Sequence, residues 1–363
     1  MTAALPHPDH PDGLTPAWLT AALRDSGRLE AGTAVTAVEV TSVGTGQMSD
    51  SLRLRLSYDR DTGAPASLIA KLPSTDGATR ATALALGSYE NEVRFYQELA
   101  PRLPVRTPVV HLAWIDPATA SFVLLLEDLA PARAGDQLAG CSPAEAAVAL
   151  RELVNLHAPR WDDSTLADLP WLHRDPEAGR QFLLMLLPGC WDGFRDRYRD
   201  DLGPEVHEAG DALFAHLEAY LLADTAPWTV AHGDYRLDNL LFDPDPDRPG
   251  VTVVDWQTVT HGPGLSDVAY LLGAGLDPAV RPTVEEGLVR DYHAGLLGAG
   301  VAGYDWDRCW ADYRRGTWAG LVMAVAASML VERTDRGDLM FLTMAARHSR
   351  HALDLEAAAV IGT

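Results

Sequence analysis

The rhythm of apolar and polar positions changes about a third of the way along the chain. "TAVTAVEVTSV" (33–43) is rich in β-branched residues and alternates in part. "SLRLRLSY" (51–58) alternates strictly, with Leu52, Leu54 and Leu56 on one face, and "ASLIAKLP" (66–73) is a third strand-like run. Gly44, Thr45 and Gly46 join the first two. "RATALALGSYENEVRFYQELA" (80–100) predicts one long helix, and "SFVLLLEDL" (121–129) predicts a strand buried on both faces. A short helix over 16–25, with Thr15 as N-cap and Pro16 in its first turn, opens the order of elements.

From Ser142 the period becomes helical. "SPAEAAVALRELVNLHA" (142–158) begins with Ser142, Pro143 and Glu145, a capping-box start. Further helices are predicted around 178–198 and 204–223. After the polar stretch "VAHGDYRLDNLLFD" (230–243) and the apolar "VTVVDW" (251–256), helices run nearly to the end. The fold class expected is α+β: a β-rich N-terminal lobe with one main helix (1–128), and a mostly helical C-terminal lobe with a small embedded hairpin (129–363).

The chain has 363 residues, enough for two domains or two large lobes, and 47% are hydrophobic, enough for a real core. Its formal net charge of −22 opposes binding to nucleic acid or anionic membrane. Cys141, Cys190 and Cys309 lie far apart with no CxxC pair, which points to a reducing compartment and away from a zinc site. No secretory signal is visible, so the expected location is cytoplasmic. The longest apolar run, "AGLVMAVAASMLV" from Ala319, is only 13 residues and reads as a buried helix.

The polar stretch carries the chemistry. Asp234 and Asn239 are five residues apart, and Asp255 lies sixteen beyond Asn239. The runs "LLF" and "VTVV", separated by the Pro/Asp-rich "DPDPDRPG", can pair as a hairpin, which brings Asn239 close to Asp255. Both offer hard oxygen donors of the kind Mg²⁺ takes beside phosphate oxygens and water. Asp234 is left to accept a hydroxyl proton. This is the division of labour in kinase loops: one Asp for the proton, an Asn and a later Asp for the metal. The plain alternative is an Asx-rich turn with satisfied hydrogen bonds.

"HGDYRLDNLLF", "VVDWQ" and "GPGLSDVAYLL" resemble the aminoglycoside phosphotransferase superfamily of small-molecule kinases, over roughly residues 30–355. The resemblance implies a bilobal, protein-kinase-like fold, ATP or GTP as co-substrate, and Mg²⁺ held by Asn239 and Asp255. It implies that Lys71 binds the α/β-phosphates and pairs with a helix glutamate. Two compete for that role; Glu92 shares a helical face with Phe95, Tyr96 and Leu99, whereas Glu90 aligns with Arg94 and Gln97. Gly44, Thr45 and Gly46 would turn over the phosphates, and the backbone of Glu127, Asp128 and Leu129 would meet the purine. His232 and Asp267 would brace the catalytic loop. The implied partner is a small-molecule hydroxyl acceptor, with no nucleic acid and no membrane, for a monomer or homodimer. An aminoglycoside-like or other natural product, with a role in antibiotic resistance, is one expectation. A primary-metabolite kinase of choline, sugar or hydroxyacyl type is another, and a non-catalytic nucleotide-binding pseudokinase a third. Asp291, Tyr292, Trp306, Trp310, Tyr313, Arg314 and Trp318 are available to line an acceptor site, or to serve as ordinary helix core.

Overall fold

The computed structural model describes residues 7–44, 48–173, 176–223, 225–245, 247 and 249–361. The chain divides into two compact units, Met1–Arg102 with Thr107–Pro131, and Leu103–Arg106 with Ala132–Thr363.

In the first unit, α1 (Pro16–Asp25) is capped by the Thr15 side chain, which accepts from Trp18 N–H. A five-stranded antiparallel sheet follows: β1 (Val35–Ser42), β2 (Ser49–Tyr58), β3 (Ser67–Pro73), β4 (Val110–Asp116) and β5 (Ser121–Glu127), in the order β1-β2-β3-β5-β4. Leu52, Leu54 and Leu56 of β2 and Leu68, Ala70 and Leu72 of β3 pack in one cluster with Trp18, Leu19 and Leu23 of α1. Strand alternation therefore turns Lys71 to the other face.

Two features differ from the sequence expectation. The single helix over 80–100 is broken into α2 (Gly77–Leu86) and α3 (Ser88–Arg94), because Gly87 sits at φ +65, ends α2 and starts α3. After α3 the backbone widens into a π-turn at Phe95–Leu99. β4 was not anticipated at all: its residues are all half-buried, and only pairing with β5 makes them a strand.

The second unit begins with β6 (Arg133–Ala134) and α4 (Pro143–His157), whose Ser142–Glu145 capping box is formed on both sides. α5 (Pro176–Arg197) follows, then the 204–223 region, which is two helices, α6 (Pro204–Ala215) and α7 (Leu217–Leu222), parted at His216. β7 (Thr229–Ala231) leads into the polar loop. β8 (Leu240–Phe242) and β9 (Val251–Val253) form the hairpin, with Leu240 opposite Val253. β10 (Thr260–Gly262) returns to pair with β7. The remaining helices are α8 (Leu265–Gly275), α9 (Arg281–Gly298), α10 (Trp306–Leu330) and α11 (Asp335–Asp354). Close helix approach depends on glycine at two positions of α10. A Cβ on Gly316 would stand 2.8 Å from the Leu265 carbonyl oxygen, and one on Gly320 would stand 2.1 Å from the His348 ring. The apolar run at Ala319 lies inside α10, and no helix among the described residues is long and apolar enough to cross a membrane.

Candidate active site

In the first unit, Lys71 lies on β3 between Ser51 of β2 and Leu124 of β5. Its Nζ is 2.7 Å from Glu92 Oε1, and Glu92 is fully buried on α3. Two opposite charges in a dry setting are held hard, since breaking a buried ion pair is strongly destabilising. Glu90 instead meets Arg94 on the half-exposed flank, at 3.7 Å. Gly44 has φ +78, with open space where a side chain would stand. Thr45 and Gly46 lie outside the described residues. Tyr89 pins the far side of that turn by donating to the Met48 carbonyl.

The strand end at Glu127 is more committed than the sequence suggested. Glu127 N–H donates to Val109 O at 2.8 Å, so that donor belongs to the protein and is not left for a purine. Glu127 Oε2 accepts from Val109 N–H, and the Asp128 carboxylate takes Arg53 through two hydrogen bonds, at 2.7 and 3.1 Å. Burial works to raise the Asp128 carboxyl, but the Arg53 guanidinium holds it below its ordinary range. Leu129 follows directly.

In the second unit, the loop after β7 is irregular backbone and is braced from outside. Asp267, at the start of α8, accepts His232 N–H on Oδ2 at 2.6 Å and Gly233 N–H on Oδ1 at 2.9 Å. Gly233 has φ +82, and a Cβ there would meet the Thr258 carbonyl at 2.5 Å. No other residue fits. His232 is fully buried; its Nδ1 accepts Asp234 N–H, which leaves Nε2–H to donate to Val254 O at 3.1 Å. Behind Asp267 stands His157, 3.2 Å from Oδ2, with Tyr292 OH 2.7 Å from its other nitrogen. As a carboxylate only accepts, the His157 nitrogen facing Asp267 is the donor of that bond.

Asp234 projects from this loop with three donors on its carboxylate. Tyr270 OH meets Oδ1 at 2.8 Å, Arg236 Nε meets Oδ2 at 3.1 Å, and Asn239 Nδ2 meets Oδ2 at 3.2 Å. Asn239 Nδ2 also reaches the Asp234 carbonyl at 2.9 Å. With its amide nitrogen so engaged, Asn239 keeps its side-chain oxygen for another partner. Asn239 O accepts Val254 N–H at 3.0 Å, so the hairpin sets Asn239 directly beside the residue preceding Asp255. Asp255 itself turns off β9 at φ +66 and is half-buried. No cluster of three or more His, Cys, Asp or Glu among the described residues would hold a metal. Two hard oxygen donors at one hairpin end do fit Mg²⁺, which draws its other ligands from water and phosphate. Asp238 is taken by Gln137 N–H at 3.0 Å and by Arg236 at 3.2 Å. The aromatic candidates for an acceptor site divide. Tyr292, Tyr313 and Trp318 are buried core, whereas Trp306 and Trp310 stack at 5.4 Å on a half-exposed flank.

His157, Arg236 and Tyr270 were not assigned site roles from the sequence. Arg236 carried the clearest signal, being two residues from Asp234.

A five-stranded antiparallel sheet bearing a buried Lys–Glu pair, and a helical unit bearing an Asp-x4-Asn loop with a following hairpin Asp, are the parts of a small-molecule kinase on a protein-kinase-like fold. The chain belongs to the phosphotransferase enzyme family APH, whose sequence model matches residues 52–310. Among solved structures, choline kinase from Cryptosporidium parvum Iowa II is similar with a TM-score of 0.55 and 11% identity, over 94% of this chain and 95% of that one. A mutant of aminoglycoside 2′-phosphotransferase-IIIa in its GDP complex gives 0.52 and 13%, over 95% and 100%. At such identities the likeness is one of fold. Acyl-CoA dehydrogenase family member 11 of Pongo abelii is 35% identical over 67 residues, 18% of this chain. The chain spans 8% of the length of that relative in the match. The family is one of phosphotransferase enzymes.

Proposed function

We propose that the protein is a Mg²⁺-dependent O-phosphotransferase that moves the γ-phosphoryl group of ATP or GTP to an alcohol of a small natural product. The observation that carries this reading is the Asp234 carboxylate, held by three donors on a loop whose hairpin also carries Asn239 and Asp255. In the transfer, the acceptor oxygen forms a bond to the γ-phosphorus and the bond to the leaving nucleoside diphosphate breaks. The acceptor's proton passes to Asp234. Asn239 and Asp255 would hold Mg²⁺, which when bound neutralises charge on the phosphate oxygens. Lys71, fixed by Glu92, sits on the α/β-phosphates. With Glu127 N–H used inside the sheet, the purine reads the carbonyl of Glu127 and the backbone at Asp128 and Leu129. The role of such groups is positioning and charge neutralisation, since phosphoryl transfer asks little covalent chemistry of the protein.

For the acceptor, the net charge of −22 supports a cationic, aminoglycoside-like natural product and opposes nucleic acid or an anionic membrane as partner. A second reading, a hydroxyacyl thioester, is favoured by the 35% identical stretch shared with a protein named as an acyl-CoA dehydrogenase. A turnover screen with ATP and GTP separates them. Its panel holds aminoglycosides, nucleoside antibiotics, macrolides, simple amino alcohols and hydroxyacyl thioesters. Acceptor-dependent nucleoside diphosphate release from one class, absent without Mg²⁺, assigns it. Nucleotide binding with no turnover on any acceptor or on water would instead leave a pseudokinase.

A further inference from the structure

A carboxylate offers about four lone-pair positions, two on each oxygen. On Asp234 both positions of Oδ2 are occupied, by Arg236 Nε at 3.1 Å and Asn239 Nδ2 at 3.2 Å. One position of Oδ1 is occupied, by Tyr270 OH at 2.8 Å. One direction remains. We propose that the acceptor's proton is taken at Oδ1 of Asp234, and that Tyr270 is the positioning residue that aims this atom. The inference rests on the phosphotransfer reading above and adds which oxygen acts and what orients it.

Tyr270 suits the task. It sits on α8 one turn after Asp267, so a single helix carries both the brace of the loop backbone and the brace of its carboxylate. Its ring is buried against His348 of α11, centroids 5.1 Å apart, in space that Gly320 leaves open. The same face of α11 steadies the rest of the loop: Met340 Sδ lies 2.6 Å from Arg236 Nη1, and Arg336 lies 3.4 Å from Asp238. Residues 336 and 340 are four apart and so lie on one helix face. Burial, and then the negative charge of Asp234, keep the Tyr270 phenol far above its ordinary range, so it remains a donor.

Tyr270→Phe removes the hydroxyl and keeps the ring on His348. The probe is release of inorganic phosphate from Mg-ATP and from Mg-GTP with water as acceptor, alongside thermal melting. The expected result is a fall in kcat of roughly tenfold, the scale of one hydrogen bond to a charged group. Nucleotide KM and the melting temperature should stay at their wild-type values. An unchanged or higher kcat in Tyr270→Phe overturns the inference, as does a loss that travels with a lowered melting temperature or a raised KM. If the unmodified protein releases phosphate no faster than Asp234→Ala, the phosphotransfer reading falls, and this inference with it.

Discussion

The two sets of candidate functional residues, one in each unit, are held in place by different means. Lys71 lies within a strand, where the ladder to β2 and β5 sets its backbone, and its ion pair with Glu92 helps to place the side chain. Asp234 lies on irregular backbone that no ladder fixes. It is surrounded by supports from three helices: Asp267 and Tyr270 from α8, His157 from the end of α4, and Met340 and Arg336 from α11. Regular structure positions a charge with few helpers. A loop that must aim a particular oxygen borrows its rigidity from its neighbours.

Several substitutions would break or sharpen that contrast. The largest effect is expected from Asp267→Ala. A buried backbone donor, His232 N–H, and a half-buried one, Gly233 N–H, lose their acceptor, and an unsatisfied buried group costs about 1–3 kcal/mol. Melting temperature and turnover should fall together, measured by calorimetry and phosphate release; a melting curve that does not move would show the loop to be self-supporting. Next comes Glu92→Gln. The negative charge of Glu92 beside Lys71 is lost while the shape is kept, so nucleotide KM should rise roughly tenfold, in keeping with a charge-assisted contact. The sheet keeps its ladder, and stability should change less than in Asp267→Ala. A KM equal to wild type would separate Lys71 from the nucleotide.

Gly320→Ala pushes a methyl group onto the His348 ring and so disturbs the seat of Tyr270. Overpacking of this kind costs about 1–3 kcal/mol, to be read as a shift in chemical-denaturation midpoint. The smallest effect concerns pH. Burial, then the positive charge of His351, Arg281 and Arg347, holds the His348 imidazole well below its usual range. It stays neutral in the fold while the unfolded chain takes up a proton near the ordinary value of about 6.5. Stability is therefore full above that pH and declines as pH falls through it. His348→Leu should flatten the drop in melting temperature between about pH 7 and pH 5. An equally steep drop would remove His348 as a source.

Much of this architecture was legible in the chain itself, for identifiable reasons. α1, the β2 alternation and the α4 capping box depend on local chemistry: Thr15 accepting from its own helix, Leu52, Leu54 and Leu56 on one face, Ser142 and Glu145 bonding each other. The break at Gly87 also carried a local signal, a glycine inside a helical run, but the apolar period on both sides concealed it. β4 has no such signal, since its half-buried residues become a strand only beside β5, and the pairing is a tertiary fact. Spacing singled out Asp234, Asn239 and Asp255 as candidates, and the loop and hairpin set Asn239 against Asp234 and against the residue preceding Asp255. His157 reaches Asp267 from 110 residues away and Tyr270 reaches Asp234 from 36, through contacts that no spacing rule encodes. His157 ends α4, and Tyr270 lies among the apolar residues of α8, so neither stands out from its sequence neighbours.

The account is tested most directly by measuring turnover and nucleotide affinity side by side in Asp234→Ala. It predicts kcat lower by about a thousandfold, within the range of a lost general base, with nucleotide KM unchanged. Turnover close to that of the unmodified protein would contradict it.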